Sequence, residues 1–178
     1  MNTPTKILAE EHQNILKVID ALLKKCKALE SGGGLDKDFF KKAIEFIRGY
    51  ADKFHHAKEE DILFVELCRD TAQMHCNPTE QMLHEHELGR GYVKNLEKGL
   101  AENDKDKIIE NARGYSQLLQ DHIYKEDNIL YPMAEEALSQ EIKEAMLDKF
   151  KQVEQKFIEE NKKYMSLVEE LTKKSKNN

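Results

Sequence analysis

Two stretches decide the fold of this chain: His55-His56-Ala57-Lys58-Glu59-Glu60-Asp61-Ile62-Leu63-Phe64 and His122-Ile123-Tyr124-Lys125-Glu126-Asp127-Asn128-Ile129-Leu130-Tyr131. Each begins with His-x-x-x-Glu and continues into an acidic and then an apolar run. A shorter phrase precedes each stretch, because Glu11-His12 lies ahead of the first and Glu85-His86 ahead of the second. The chain therefore repeats one pattern, Glu-His followed by His-x-x-x-Glu, in its two halves.

The composition indicates the class of fold. The chain has 178 residues, of which 39% are hydrophobic and 35% charged, with eight glycines, three prolines and no tryptophan. This length is enough to bury the core of one domain. Abundant Glu, Lys, Leu and Ala favour long helices over strands. We therefore expect an all-α protein.

Charge and hydropathy argue against two kinds of partner. The formal net charge is −6 with acids and bases interspersed, so no basic stripe is available to bind nucleic acid. No stretch approaches the roughly 20 apolar residues that span a bilayer, and the N-terminus has no apolar signal segment. We expect no membrane contact and a cytoplasmic location.

Apolar spacing and cap residues predict five helices. The first helix is predicted from Thr3-Pro4 to the glycines that follow Ser31, and the second, one long helix, from about Asp36 to Cys68. The third is predicted from Asn77-Pro78 to about Ala101, and the fourth from the break at Glu102-Asn103-Asp104 to about Leu138. The fifth begins at Ser139 and ends in a frayed tail.

Short connections make the first four helices antiparallel neighbours, which predicts an up-down-up-down antiparallel four-helix bundle over residues 1–138. The long fifth, C-terminal helix, within residues 139–178, carries apolar residues on alternating four- and three-residue steps. That seam either covers the side of the same bundle, as part of the same domain, or forms a homodimer contact. We favour the first arrangement.

Residues four apart lie on one face of a helix, with Cβ atoms about 5–6 Å apart. His55 with Glu59, and His122 with Glu126, can therefore reach one metal centre. Any single histidine is more simply read as a core residue bonded to a nearby glutamate. Six positions in repeated order reverse that preference, and the predicted metal ligands are His12, His55, Glu59, His86, His122 and Glu126.

The alignment of the two halves also chooses between neighbouring candidates. It sets His56 opposite Ile123, so His56 is not needed as a ligand. His84 lies roughly 200° around the helix from His86 and is expected to face elsewhere. We expect four carboxylates, Glu10, Glu11, Glu60 and Glu85, to lie on solvated faces. One of them could instead accept a hydrogen bond from the N–H of a ligating imidazole.

Imidazole and carboxylate donors without thiolate suit iron, manganese or zinc, and two bridging carboxylates between histidines describe a dinuclear site. We choose two iron ions, because an iron pair in a bundle core can bind or reduce small oxygen species.

Together these phrases resemble the hemerythrin-like, HHE cation-binding family, whose members are four-helix bundles with a non-haem di-iron centre. Phe150-Lys-Gln-Val-Glu154 is similar to free-standing bacterial members with an added C-terminal helix. The resemblance implies that Glu59 and Glu126 bridge two irons and that the four histidines ligate them.

One feature departs from the oxygen carriers of this family, which have His-x-x-x-His on the third helix. Here the positions four before and four after His86 are Met82 and Arg90. This departure argues against simple reversible O2 carriage. The residue that completes the second iron stays open between His84, Glu85, a tyrosine and water.

The resemblance implies a metal-binding protein whose di-iron centre binds O2, NO or peroxide, in an O2-binding, sensing or stress-response role. An enzyme is the alternative, either a peroxide- or NO-consuming oxidoreductase or a ferroxidase, and we lean against it. A structural bundle with incidental metal is a third reading.

Overall fold

The structure is a computed structural model that describes residues 2–69 and 78–175, and within those ranges it contains helices and no strands. The all-α prediction is confirmed. No helix in these ranges has both the length and the apolar character needed to cross a membrane. The helices are α1 (Pro4–Glu30), α2 (segments Lys37–Phe46, Ile47–His56, Glu59–Leu63 and Phe64–Leu67), α3 (Thr79–Glu102), α4 (segments Lys105–Lys125, Glu126–Leu130 and Tyr131–Ala137), α5 (Gln140–Lys156) and α6 (Ile158–Lys174).

Polar side chains begin the helices at the predicted breaks. The Thr3, Asp104 and Ser139 side chains each accept a hydrogen bond from the backbone N–H three residues on, at 3.0–3.3 Å. Asn103, with a φ of 57°, ends α3 in the left-handed conformation. Such caps satisfy backbone groups that have no partner inside the helix. The predicted cap Asn77 lies outside the described residues.

The second helix is continuous over 37–67, as its uninterrupted apolar pattern predicts, but its winding changes. The segments Ile47–His56 and Glu59–Leu63 are π-helical, with hydrogen bonds between residues five apart. In α4, the segment Glu126–Leu130 is π-helical too. Short π-helical turns are rare and are often found at functional sites. In both halves of the repeat, a π-helical segment begins at the glutamate predicted to bridge two metal ions, Glu59 or Glu126.

The first four helices form the predicted bundle, in which α1 and α3 both pack against α4, and α2 packs against α1 and α3. Two apolar clusters fill its interior. One includes Ile15 and Val93, and the other includes Leu8 and Met82. His12 lies between Leu8 and Ile15 on α1. On α3, His86 lies in the same way between Met82 and Val93. A polar layer therefore crosses the bundle between two apolar clusters.

The predicted fifth helix is present in two parts. Phe157, with φ −106° and ψ 16°, separates α5 from α6, and its ring centroid lies 5.8 Å from that of Phe54. The apolar seam faces α1 and α2 of the same chain, and its buried members include Met146, Phe150, Leu167 and Leu171. The domain limits and the homodimer stay predictions.

Candidate metal centre

Four helices bring histidine and glutamate side chains together in the polar layer. α1 and α3 each contribute one histidine, and α2 and α4 each contribute a histidine and the glutamate four residues on. All six predicted positions are at most 2% exposed: His12, His55, Glu59, His86, His122 and Glu126. The structure places the whole predicted set in one region, and its ligation of metal stays a prediction.

One group of donors, called site A here, consists of His12, His55, Glu59 and Glu126. The Nε2 atoms of His12 and His55 face each other at 3.0 Å. His12 Nε2 lies 3.3 Å from Glu126 Oε2, and His55 Nε2 lies 3.6 Å from Glu59 Oε2. The potential ligand atoms are within 4.8 Å of one another, so one cation can contact all four side chains.

A second group, called site B, consists of His56, Glu59, His86 and His122. The Nε2 atoms of His86 and His122 lie 3.0 Å apart, and Glu59 Oε2 is 3.6 Å from His86 Nε2. Glu126 Oε1 is 3.1 Å from His122 Nε2, while its Oε2 faces site A. Both carboxylates therefore lie between the two sites, where bridging ligands belong.

Carboxylates orient each of the four facing imidazoles through the other ring nitrogen. A carboxylate only accepts hydrogen bonds, so Nδ1 must carry hydrogen, and the Nε2 of a neutral ring then presents a lone pair. Two lone pairs 3.0 Å apart need a proton or a metal cation between them. The four Nδ1 contacts, at 2.7–2.9 Å, join His12 to Asp127, His55 to Glu11, His86 to Glu60 and His122 to Glu85.

The pKa shifts of the imidazoles also indicate positive charge in these gaps. Burial disfavours the charged form of His12, but Asp127 and Glu126 outweigh it and raise its pKa to about 9. Burial, and then the adjacent His12, lower the pKa of His55. Burial opposes charging of His122 as well, and Glu126 outweighs it and raises that pKa. The raised pKa values of His12 and His122 favour protons at positions that a bound cation would take.

Three of the four oxygens of the two central carboxylates lack a hydrogen-bond donor among the described residues. Within the described part of the chain, both oxygens of Glu126 and Oε2 of Glu59 are buried without a hydrogen bond of good geometry. Burial and then the neighbouring Glu126 raise the pKa of Glu59, whereas His122 and His12 overcome the effect of burial and lower that of Glu126. Unpartnered buried polar groups cost roughly 2–7 kcal/mol each. A cation between the two glutamates would satisfy these oxygens.

The repeat extends to the residues that surround the donors. Lys58 forms an ion pair with Glu11, and Lys125 forms one with Glu85. In sequence, each lysine directly precedes a central glutamate, and each of these acidic partners directly precedes a predicted histidine ligand. The two environments differ, because Lys58 is fully buried while the Lys125 side chain is 29% exposed. Two matching networks therefore support the two sites.

Tyr131 is one of the residues that break this two-fold pattern. Its hydroxyl donates a hydrogen bond to Glu59 Oε1 at 2.5 Å, and lies 3.4 Å from His12 Nε2. The repeat aligns Tyr131 with Phe64, which has no hydroxyl. Sites A and B therefore differ in polarity.

His56 is the donor that the sequence pattern missed. It is 7% exposed and stacks on His86, with ring centroids 3.7 Å apart and planes at 10°. Its Nδ1 lies 3.5 Å from Asp52 Oδ1 and makes no hydrogen bond of good geometry. The structure thus places His56 among the donors that can hold an ion at site B, although the alignment of the two halves did not need it as a ligand. Its adjacency to His55 and its spacing from Glu60 were the only sequence signals.

Three glutamates also differ from expectation. Glu11, Glu60 and Glu85 were expected on solvated faces, with at most one of them orienting an imidazole. All three orient an imidazole, and Glu11 and Glu85 are buried. His84 is exposed, as expected.

An open cavity of about 510 Å³ lies between α2, α3 and α4 and ends at site B, where His56, His86 and His122 line it. Gly89 also lines the cavity, and a Cβ there would lie 3.6 Å from the Tyr115 ring. Site B is therefore reachable by a small molecule.

The donor set suits a transition metal ion. Its atoms are imidazole nitrogens and carboxylate oxygens without thiolate, a combination that iron, manganese and zinc accept. The aimed Nε2 lone pairs and the unpartnered glutamate oxygens fit a pair of cations. The fold and this site together define a helical-bundle protein that binds metal in its core.

Comparison with known proteins agrees with this class. The sequence profile of the Hemerythrin HHE cation binding domain matches residues 3–134. The chain belongs to that family. No curated protein and no solved structure gives a match.

Proposed function

We propose that the chain holds two non-haem iron ions, one at site A and one at site B, and that the pair binds O2, NO or peroxide in an O2-binding, sensing or stress-response role. The observation that supports this most is the convergence of four Nε2 lone pairs on two bridging carboxylates. Iron, when bound, supplies the redox chemistry and the affinity for such ligands. Manganese or zinc would suit the same donors.

In this proposal each half of the chain supplies a pair of facing histidines to one of the two sites. Site A is held by His12 and His55, and site B by His86 and His122, with the carboxylates shared. His56 supplies a third imidazole at site B, which compensates for the absence of a histidine four residues from His86 on α3. The apolar clusters exclude bulk water, and the cavity at site B admits the ligand.

An enzyme that consumes peroxide or NO, or a ferroxidase, is the alternative. One observation favours it: a cavity that opens directly on the centre allows substrate to enter and product to leave. Turnover also needs an open coordination position. Steady consumption of peroxide or NO by the iron form, lost in Glu59→Ala, would establish the enzyme.

Metal analysis tests the proposal. Protein from iron-replete cells is expected to contain two irons per chain and to show charge-transfer absorption that changes when azide is added. His55→Ala and His122→Ala should each lower the iron content, whereas His84→Ala, at an exposed position, should keep both irons. Wild-type protein that takes up no iron, and whose melting temperature ferrous iron does not raise, would contradict the proposal.

A further inference from the structure

The cavity at site B is larger than a diatomic ligand requires. Its volume is about 510 Å³, whereas one water molecule occupies roughly 30 Å³ of liquid. Pockets of about 300–1,000 Å³ are typical of sites for small organic molecules. The cavity therefore has room for an organic molecule next to the centre.

Apolar side chains from three helices form part of its walls, and ion pairs connect two of these helices. Ile47 of α2, Val93 of α3 and Leu119 of α4 line it, and each is at most 5% exposed. Arg48 on α2 and Glu97 on α3 form an ion pair across the slot at 2.8 Å. A second ion pair between α2 and α3, formed by Asp52 and Arg90, lies nearer site B. Both ion pairs connect α2 with α3 beside the slot.

One tyrosine lines this slot. Tyr115 lines the cavity and is 3% exposed, yet its hydroxyl makes no hydrogen bond within the described residues. Burial, and then the charge of Asp52, raise the pKa of Tyr115, which keeps the hydroxyl protonated as a donor. The buried hydroxyls of Tyr50 and Tyr131 both have partners. Because no described residue accepts its hydrogen, the Tyr115 hydroxyl is available to donate to an acceptor in the cavity.

The charges on the lining favour an anion. Arg90 forms an ion pair with Asp52 at 2.7 Å, which offsets the negative charge that acts on Tyr115. Lys53 and Lys94 also line the cavity, are exposed, and have no carboxylate partner among the described residues. In a chain with a net charge of −6, two unpaired cations at one opening attract a negatively charged molecule.

We propose that the cavity binds a small organic acid. The apolar body lies between Ile47 and Val93, the carboxylate accepts the Tyr115 hydroxyl hydrogen, and Lys53 and Lys94 attract the charge. The acid then lies beside site B. Its binding requires the cavity and not the metal, so the inference goes beyond the proposed function.

Calorimetric titration with octanoate tests this inference on the full chain, with and without iron. Saturable binding of one octanoate per chain is expected in both forms. Tyr115→Phe should weaken it about tenfold, the size expected for one hydrogen bond to a charged group, and Val93→Trp should abolish it by filling the cavity. Tyr92→Phe is the matched control, because the Tyr92 ring lies against Gly114 instead of the cavity. The uncharged 1-octanol should bind more weakly than octanoate.

Three results would overturn the inference: no saturable octanoate binding in either form, binding that survives in Val93→Trp, or equal affinity in wild type and Tyr115→Phe. Circular dichroism establishes that each variant is folded, and Tyr115→Phe, which removes one atom, keeps the test decisive if Val93→Trp does not fold. Iron is measured on the same samples. Octanoate binding in a protein that takes up no iron would contradict the metal proposal alone, and two irons without octanoate binding would contradict this one alone.

Discussion

Tyr131 donates its hydroxyl hydrogen to Glu59 at 2.5 Å, while its ring lies parallel to that of His12, with 7° between the planes. Phe64 occupies the matching position of the repeat and places only a ring against His86, at 6.0 Å between centroids. At this position of the repeat, the surroundings of sites A and B therefore differ by one hydroxyl. Glu59, the carboxylate predicted to bridge the two sites, accepts this hydrogen bond through Oε1, while its Oε2 has no hydrogen bond of good geometry within the described residues.

Tyr131→Phe tests the role of this hydroxyl. Loss of a buried hydrogen bond to a carboxylate should lower the free energy of unfolding of the metal-free protein by about 1–3 kcal/mol, measured with urea. Both irons should remain, because Tyr131 belongs to neither donor group, while the charge-transfer absorption shifts. Tyr92→Phe, outside the centre, should change neither quantity. Loss of one iron in Tyr131→Phe would instead identify the tyrosine as a ligand.

Lys58→Met tests the buried network behind site A. The Lys58 side chain is fully buried, pairs with Glu11 and lies over the Phe54 ring at 3.9 Å. Its removal leaves a buried carboxylate without its cation, which typically costs about 3–5 kcal/mol. It also disturbs the orientation of His55, and such changes lower metal affinity by about 10–100-fold. Urea unfolding and competition with a chelator measure the two effects.

Lys125→Met is the matched control from the other half of the repeat. Its side chain is 29% exposed, so loss of its ion pair with Glu85 should cost about 1 kcal/mol or less. In the Lys58→Met background, Glu11→Gln should recover part of the stability, because it removes the uncompensated charge. Equal losses of stability in Lys58→Met and Lys125→Met would contradict the expectation that the buried ion pair contributes more than the partly exposed one.

The bundle and the convergence of the six site residues could both be predicted from the sequence for one physical reason. Both depend on spacing along a helix, and the repeat made that spacing visible twice. Thr3 and Ser139 begin helices because their hydroxyls accept backbone N–H groups, a local property that sequence carries directly. The spacing of His55 and Glu59 likewise placed both side chains inward.

The residues that the sequence did not reveal depend on winding and on neighbouring helices. The alignment of the two halves set His56 opposite Ile123, and in an ordinary α-helix His56 points about 100° away from His55. The π-helical segment Ile47–His56 turns less per residue and lets both point inward. The role of Glu11 depends on His55, on a different helix, and no pattern within α1 indicates it.

His56→Gln tests whether the third imidazole of site B binds metal. If it does, one of two zinc ions should bind at least tenfold more weakly, while the other keeps its affinity, because site A lacks His56. Calorimetric titration of the metal-free protein measures both affinities. His84→Gln, at an exposed histidine on α3, is the control. Unchanged affinities for both ions in His56→Gln would mean that His56 contacts the centre without ligating it.

Metal binding should release protons, and its affinity should rise with pH. The pKa of His12 is raised to about 9, so its imidazole is protonated at neutral pH, and a metal ion must displace that proton. The competition weakens as pH rises toward the pKa, so zinc affinity should increase between about pH 6 and 9. Titrations in buffers of different ionisation enthalpy count the protons released.

Asp127→Asn provides the comparison for this proton count. Asp127 is the strongest of the contacts that raise the pKa of His12, and a neutral amide there should lower that pKa. Fewer protons should then be released at pH 7. Zinc binding to wild-type protein without proton release would contradict the assignment of His12 as protonated in the metal-free form.

Gly49→Ala tests the docking of α6 on the bundle. A Cβ at Gly49 would lie 2.0 Å from the Tyr164 hydroxyl of α6 and 2.2 Å from the ring carbon that bears it, so the ring must move. Overpacking of this kind costs about 1–3 kcal/mol, and a chain of this size loses roughly 2–4 °C in melting temperature for each kcal/mol. Gly91→Ala, also helical but facing open space, should instead stabilise the protein by up to about 1 kcal/mol, because alanine is the better helix former. Scanning calorimetry of the two variants measures opposite shifts if α6 is held against Gly49, and parallel increases would mean that α6 does not pack there.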